Sequence, residues 1–102
     1  MSSSTTLDRA VDRLHQILPE LKELYGITEL GVFGSYVRGE QTPNSDLDIL
    51  IEFHPNRRFG LLTFCELENQ LSDRLGIKVN LVMKKGLKPH IDDRILSEVK
   101  YL

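Results

Sequence analysis

The chain has little of what would mark a secreted, membrane or nucleic-acid-coating protein. It carries one cysteine, Cys65, so no disulfide framework can form within its 102 residues, and a reducing, cytoplasmic setting is expected. Cys65 falls in an apolar helical pattern and reads as a buried small hydrophobe, not a reactive thiol. No apolar run approaches the ~20 residues that a membrane span needs. The start "MSSSTT" has neither a basic segment nor an apolar one, so no secretory signal is expected. Formal net charge is −2, which argues against general nucleic-acid binding while leaving room for a local basic patch. No internal repeat is visible.

What is present is ordinary globular usage: 40% apolar and 27% charged residues, in a length suited to one domain with one core. Residues 1–6 read as a frayed start and 7–102 as the domain. Leu7, Ala10, Val11, Leu14, Ile17, Leu18, Leu21 and Leu24 recur at helical spacing, with Thr5 and Asp8 resembling a capping box. Pro19 should kink the helix or restart it, since an interior proline costs about 3 kcal/mol. Gly26 should end it. "TELGVFGS" reads as a buried strand and "SDLDILIEF" as an alternating one, with Leu47, Ile49, Ile51 and Phe53 on one face and Asp46, Asp48, Leu50 and Glu52 on the other. "HPNRRFG" is a loop. Leu61, Phe64, Leu67, Leu71 and Leu75 predict a second long helix closed by Gly76, and "IKVNLVM" a third strand. Pro89 should open a last helix with Ile91, Ile95, Val99 and Leu102 on its apolar edge, Asp92 and Asp93 near its start and Lys100 near its end, as the helix dipole prefers.

The order is α-β-(loop)-β-α-β-α. The first two strands lack a helix between them and should pair antiparallel; the second and third are joined through a helix and can run parallel. The fold class is therefore α/β (α+β), a small mixed sheet flanked by helices.

Two features then stand out. Alternation places Asp46 and Asp48 on one face, about 6.6 Å apart along the strand. Two carboxylates that close repel unless something positive lies between them, and oxygen-only ligands favour Mg²⁺, which takes one or two carboxylates plus substrate phosphates. Ten residues earlier, Gly34-Ser35 follows a strand and precedes "YVRG", which can form a short helical turn. Glycine lets the backbone approach a phosphate, and a serine at a helix start leaves hydroxyl and N–H groups facing an anion. Alone, Gly-Ser is a turn and Asp-x-Asp a strand start, and Ser45-Asp46 could be turn chemistry. After one strand and at the head of another, the two together are far more specific.

Gly34-Ser35, ten residues and Asp46-x-Asp48 resemble the signature of the DNA polymerase beta-like nucleotidyltransferase superfamily. The fuller "FGSYVRGEQTPNSDLDILIEF", with "RRFGLL" and "LKPHIDDRILSEVKYL", is similar to its smallest branch, the minimal nucleotidyltransferases or MNT proteins, from about Leu30 onward. The resemblance implies the nucleotidyltransferase fold and transfer of a nucleoside monophosphate, such as AMP from ATP, to an acceptor hydroxyl. It implies that Gly34 and Ser35 hold the triphosphate and that Asp46 and Asp48 bind Mg²⁺, two ions in all, and carry the catalysis. It also implies a third acid on the third strand, in a pattern like "VDLV". Here the chain reads Val79-Asn80-Leu81-Val82. Asn80 can offer a carbonyl oxygen but neither negative charge nor a general base. The second ion should be weakened, and nucleotide binding should survive better than turnover. Glu52 is no substitute, about 13 Å beyond Asp48 along the strand.

Such a small domain has little room for an acceptor module, so the acceptor should be another protein. Many MNT proteins pair with a small helical HEPN-type protein as antitoxin and toxin, and some add AMP to a tyrosine of that toxin. The alternative is a weakened or inactive nucleotide-binding antitoxin that works by stoichiometric contact, a reading raised by Asn80. A small-molecule transferase ranks below both, for want of an acceptor pocket. Arg38 has two readings, a reach to phosphate or to the site's carboxylates, or a plain ion pair. Arg57 and Arg58 either draw in the triphosphate, meet an acidic partner or form a solvated loop. Lys84, Lys85 and Lys88 read as a solvated turn or a partner contact. His15, His54 and His90 have no metal-ligand spacing and read as non-catalytic.

Overall fold

In the computed structural model the described residues are 6–42, 44–54, 60–84 and 89–102. The expected frayed start therefore lies outside them, save Thr6, at which the first helix opens. That helix, α1 (Thr6–Tyr25), is one helix with Pro19 in its interior, so the chain does not restart there. Ala10, Leu14, Leu18 and Leu21 are buried along one stripe, and each is worth up to about 1.5–3 kcal/mol for the larger side chains. Pro19 and His15 lie on the opposite, exposed face. The His15 carbonyl that Pro19 cannot serve can thus be hydrated, and the stripe outweighs the missing bond. The Gly26 N–H closes α1 on the Lys22 carbonyl at 2.9 Å.

The chain continues through β1 (Ile27–Phe33), α2 (Ser35–Arg38), β2 (Leu47–Phe53), α3 (Leu61–Leu75), β3 (Val79–Met83), α4 (Pro89–Glu98) and β4 (Lys100–Tyr101). The four strands form one mixed sheet in the order β3-β2-β1-β4. As expected, β1 and β2 pair antiparallel, with Phe33 opposite Asp48. As expected too, β2 and β3 run parallel, with Asp48 beside Asn80.

The final strand was not foreseen. The last helix stops at Glu98, and Lys100, assigned above to its C-terminal turn, pairs with Val32 in β4. Leu102, assigned to the helix edge, instead donates its N–H to the Leu30 carbonyl at 2.9 Å and packs against the core. The reason is the unpaired edge that β1 would otherwise present, which even a two-residue strand covers. Val99, at the junction, comes down on Gly31 so closely that a Cβ there would lie 2.5 Å from Val99 Cγ1.

The core gathers α1 and α3 against Val32, Ile49 and Ile51 on one face of the sheet, with Leu14, Leu21, Leu67 and Leu71 fully buried. On the opposite face, Leu50 shares the aspartates' side yet is only 1% exposed. The expected α3 stripe holds at Phe64, Leu67, Leu71 and Leu75, but Leu61 is 79% exposed. It sits at the first helical position, a turn before the core begins. Cys65 is exposed, correcting its reading as buried. It follows Phe64 by one residue, which rotates it about 100° off the buried stripe.

Candidate active site

The Gly-Ser turn begins where β1 ends. Gly34 has φ 86° and ψ −156°, a region closed to residues with a side chain. A Cβ at this position would run into the Asp48 carboxylate, so glycine is required both by backbone and by space. The Gly34 carbonyl accepts the N–H groups of Val37 and Arg38 at 3.0 and 3.1 Å, which winds α2 into its single turn. Ser35 is half-buried at the head of that turn, and its hydroxyl has no hydrogen-bond partner among the described residues.

The loop back is tied by Ser45. Its hydroxyl accepts the Thr42 N–H at 2.8 Å, while its own N–H goes to the Thr42 carbonyl at 3.0 Å. Ser45 is therefore turn chemistry, and it delivers Asp46 to the head of β2. Asp48, one alternation further on, is half-buried beside Gly34. Burial raises its carboxyl pKa above the usual range; the hydrogen bond from Asn80 opposes this, and the negative charge of Asp46 adds to it.

Asn80 lies where the sequence placed it. Its Nδ2 donates to Asp48 Oδ1 at 3.0 Å from the neighbouring position on β3. That strand is pinned from α3. Ser72 Oγ donates to the Glu68 carbonyl at 3.0 Å and accepts the Val79 N–H at 2.9 Å, and the Glu68 carboxylate accepts the Leu81 N–H at 2.8 Å. Asn80 is thus held from both flanking residues.

Arg38 forms two ion pairs beside the turn. Its Nε donates to Glu40 at 2.7 Å and its Nη1 to Glu98 at 2.8 Å, and these bonds hold the guanidinium firmly charged. Glu98 was missed from sequence. It lies 64 positions from Gly34, yet its Oε2 accepts the Gly34 N–H at 2.8 Å. One local sign was available: an acid at the last position of a helix opposes the dipole, where a base is preferred. Lys84 is not a free solvated lysine, since it pairs with Glu29 at 2.8 Å and its Nζ lies 5.5 Å from the centre of the Tyr101 ring. Arg57, Arg58, Lys85, Lys88 and the His90 side chain fall outside the described residues. His15 and His54 are exposed, and His54 follows the end of β2 opposite the aspartates.

Among the described residues, no cluster of three or more His, Cys, Asp or Glu side chains is arranged to hold a metal ion. Asp46 and Asp48 are two carboxylates at the head of β2, and burial raises the pKa of Asp48; an oxygen-only pair of this kind suits a Mg²⁺ ion whose remaining ligands come with a phosphate chain and not with the protein.

A glycine-serine turn leads from β1 into one helical turn, with Gly34 against Asp48 on the neighbouring antiparallel strand of a mixed sheet, as expected of the nucleotidyltransferase fold. Residues 14–102 match the family model described as "Nucleotidyltransferase domain", and the chain belongs to that family of enzymes. Among similar curated proteins is the protein adenylyltransferase MntA of Thermococcus cleftensis, 51% identical over 83 residues, which are 81% of this chain and 82% of that one. A solved structure described as a minimal nucleotidyltransferase is 31% identical, covers 100% of both chains and superposes with a TM-score of 0.75. A solved complex of a tri-AMPylated Shewanella oneidensis HEPN toxin with its MNT antitoxin shares the fold at 18% identity and a TM-score of 0.65, over 90% of this chain and 70% of that one. Among the described residues, no helix is long and apolar enough to cross a membrane.

Proposed function

We propose that this chain is a Mg²⁺-dependent protein adenylyltransferase that moves AMP from ATP to a hydroxyl of a small helical HEPN-type partner, as the antitoxin of a toxin–antitoxin pair. The observation that carries the reading is the contact of Gly34 with Asp48, which sets a phosphate-accepting turn directly against the carboxylates. The 51% identity to a protein adenylyltransferase supports AMP as the transferred group. The shared fold with a toxin–antitoxin complex that contains an AMPylated toxin supports the partner.

In this reading Gly34 and Ser35 hold the triphosphate, the serine through its hydroxyl. Asp46 and Asp48 would hold Mg²⁺, which when bound would offset charge on the phosphates and lower the pKa of the acceptor hydroxyl. Arg38 borders the triphosphate with the guanidinium donors that Glu40 and Glu98 leave over. The acceptor oxygen bonds to the α-phosphorus, the bond from that phosphorus to the bridging oxygen breaks, and pyrophosphate leaves with the electron pair. The hydroxyl proton must go to a carboxylate or to water, because the Asn80 amide cannot take it.

Asn80 favours a second reading, stoichiometric inhibition by a nucleotide-loaded but slow antitoxin, since its amide occupies one oxygen of Asp48 where a third acid would have added charge. Incubation of the purified pair with ATP and Mg²⁺, followed by intact mass measurement of the partner, separates the two. Gain of one or more AMP units supports transfer. Inhibition of the toxin without any mass gain refutes transfer and leaves the binder.

A further inference from the structure

Glu98 and Gly34 are brought together by strand pairing. In the antiparallel register of β1 and β4, Gly31 lies opposite Tyr101 and Val32 opposite Lys100. Extended two residues, that register sets Glu98 across from Gly34. The side chain, 23% exposed, then bridges two elements of the site: Oε2 takes the Gly34 N–H and Oε1 takes Arg38 Nη1, both at 2.8 Å. Arg38 is held a second time by Glu40, whose own N–H bonds back to the Ser35 carbonyl at 2.8 Å. Gly34 is thereby enclosed, with the Asp48 carboxylate on the side a Cβ would occupy and the Glu98 carboxylate on its amide.

We infer that Glu98 is a positioning residue for the transfer reaction, fixing the Gly34-Ser35 turn and Arg38 in the shape that receives the triphosphate before nucleotide arrives. The inference rests on the adenylyltransferase reading above and adds a role for the C-terminal segment in it. A preset turn has no ordering cost left to meet on binding, so its loss falls on nucleotide affinity. Charge is needed as well as shape. A carboxylate can serve an amide and a guanidinium at once, whereas a carboxamide offers one accepting oxygen and turns an N–H₂ toward the other donor.

The test uses the full chain with its partner, MgATP titration calorimetry, AMP-transfer kinetics and the ¹H–¹⁵N signal of the Gly34 amide. Glu98→Gln should raise the Kd and KM for MgATP about tenfold with kcat changed less than twofold, and should shift the Gly34 amide signal. Glu98→Asp, which keeps the charge one methylene back, should give an intermediate KM. A merely structural role would lower Tm but leave the KM of the folded fraction at the native value, and that result overturns the inference. Tighter MgATP binding by Glu98→Gln also overturns it, because the carboxylate would then be competing with the triphosphate. If the native chain binds no MgATP, the adenylyltransferase reading falls and this inference with it; native binding alongside an unchanged Glu98→Gln sinks the inference alone.

Discussion

Replacing Asn80 with aspartate restores the absent acid, and the cost can be worked from the contact it removes. Asn80 Nδ2 donates to Asp48 Oδ1 at 3.0 Å, a bond from a neutral donor to a carboxylate. Such a bond is worth about 1.5–3 kcal/mol when sheltered. Asn80 is exposed and Asp48 only half-buried, so the lower end applies. The new carboxylate then adds repulsion, about 1 kcal/mol for unit charges 4 Å apart in water and more in partial shelter, again screened by exposure. The nucleotide-free protein should lose about 1–2 kcal/mol, at about 4–8 °C of Tm for each kcal/mol in a domain of this size. Thermal unfolding in EDTA at pH 7 reads this directly.

The pH dependence has a definite sign. The Asp48 carboxyl already sits above its usual range in the folded state, through burial first, with Asp46 adding and Asn80 opposing. Asn80→Asp removes the opposing bond and adds charge, so the shift grows. A carboxyl whose folded pKa is raised favours the fold in its protonated form, and that stability is lost as pH rises through the folded pKa. The variant should therefore melt below the native chain at pH 7 and converge with it as pH falls into the ordinary carboxylate range. With Mg²⁺ and ATP the deficit should shrink, and AMP transfer should rise about tenfold or more, since a base and a metal ligand return together. Equal Tm in EDTA refutes the electrostatic reasoning. Equal transfer by both proteins refutes the claim that Asn80 slows catalysis.

Gly34→Ala should cost about 1–3 kcal/mol in unfolding measurements, because alanine at φ 86° is strained and its Cβ meets the Asp48 carboxylate; MgATP binding by calorimetry should be lost with it. Ser72→Ala should cost about 1–2 kcal/mol by denaturant titration, since the Val79 N–H loses its acceptor at the start of β3. Gly31→Ala should cost about 1–3 kcal/mol, as its Cβ presses on Val99 and on the Lys100 carbonyl, and hydrogen exchange should show the Leu102 amide, bonded to Leu30, losing protection.

The parts of this fold that were legible are those written in local pattern. Period-two alternation from Leu47 to Phe53, period-3.6 spacing from Phe64 to Leu75 and the glycines at positions 26 and 76 lie within a few residues of what they specify. Pairing direction followed from the length of the connections alone. Errors arose where burial overrode local preference. Pro19 costs α1 a hydrogen bond and crowds the carbonyl of His15, but both lie on the exposed face, where that carbonyl can tilt out and be hydrated while the buried stripe holds the helix together. Cys65 looked apolar in composition but sits off the stripe by one residue. Lys100 and Leu102 continued a plausible helical edge, yet the open side of β1 claimed them as a strand.

Glu98 shows why one part of the site was invisible in the sequence. Gly34, Ser35, Asp46 and Asp48 lie within fifteen residues, and one hairpin-like return brings them together. Glu98 reaches them only because β4 exists, and β4 exists only because β1 has an unpaired edge. Its contribution is a consequence of sheet closure and not of any motif. The charge pattern of the site draws on all three strand pairings. The Asp48 carboxylate lies beside Gly34, the Asn80 amide donates to it, and the Glu98 carboxylate is matched by Arg38 behind the turn. With an acid at position 80 the nucleotide-free site would carry more unbalanced charge and depend on metal for its stability. With asparagine, position 80 contributes a hydrogen bond to Asp48 in place of a charge. If Asn80 holds the site while slowing the chemistry, the native chain should bind MgATP well by calorimetry and transfer AMP slowly, and fast transfer by the native chain refutes that reading.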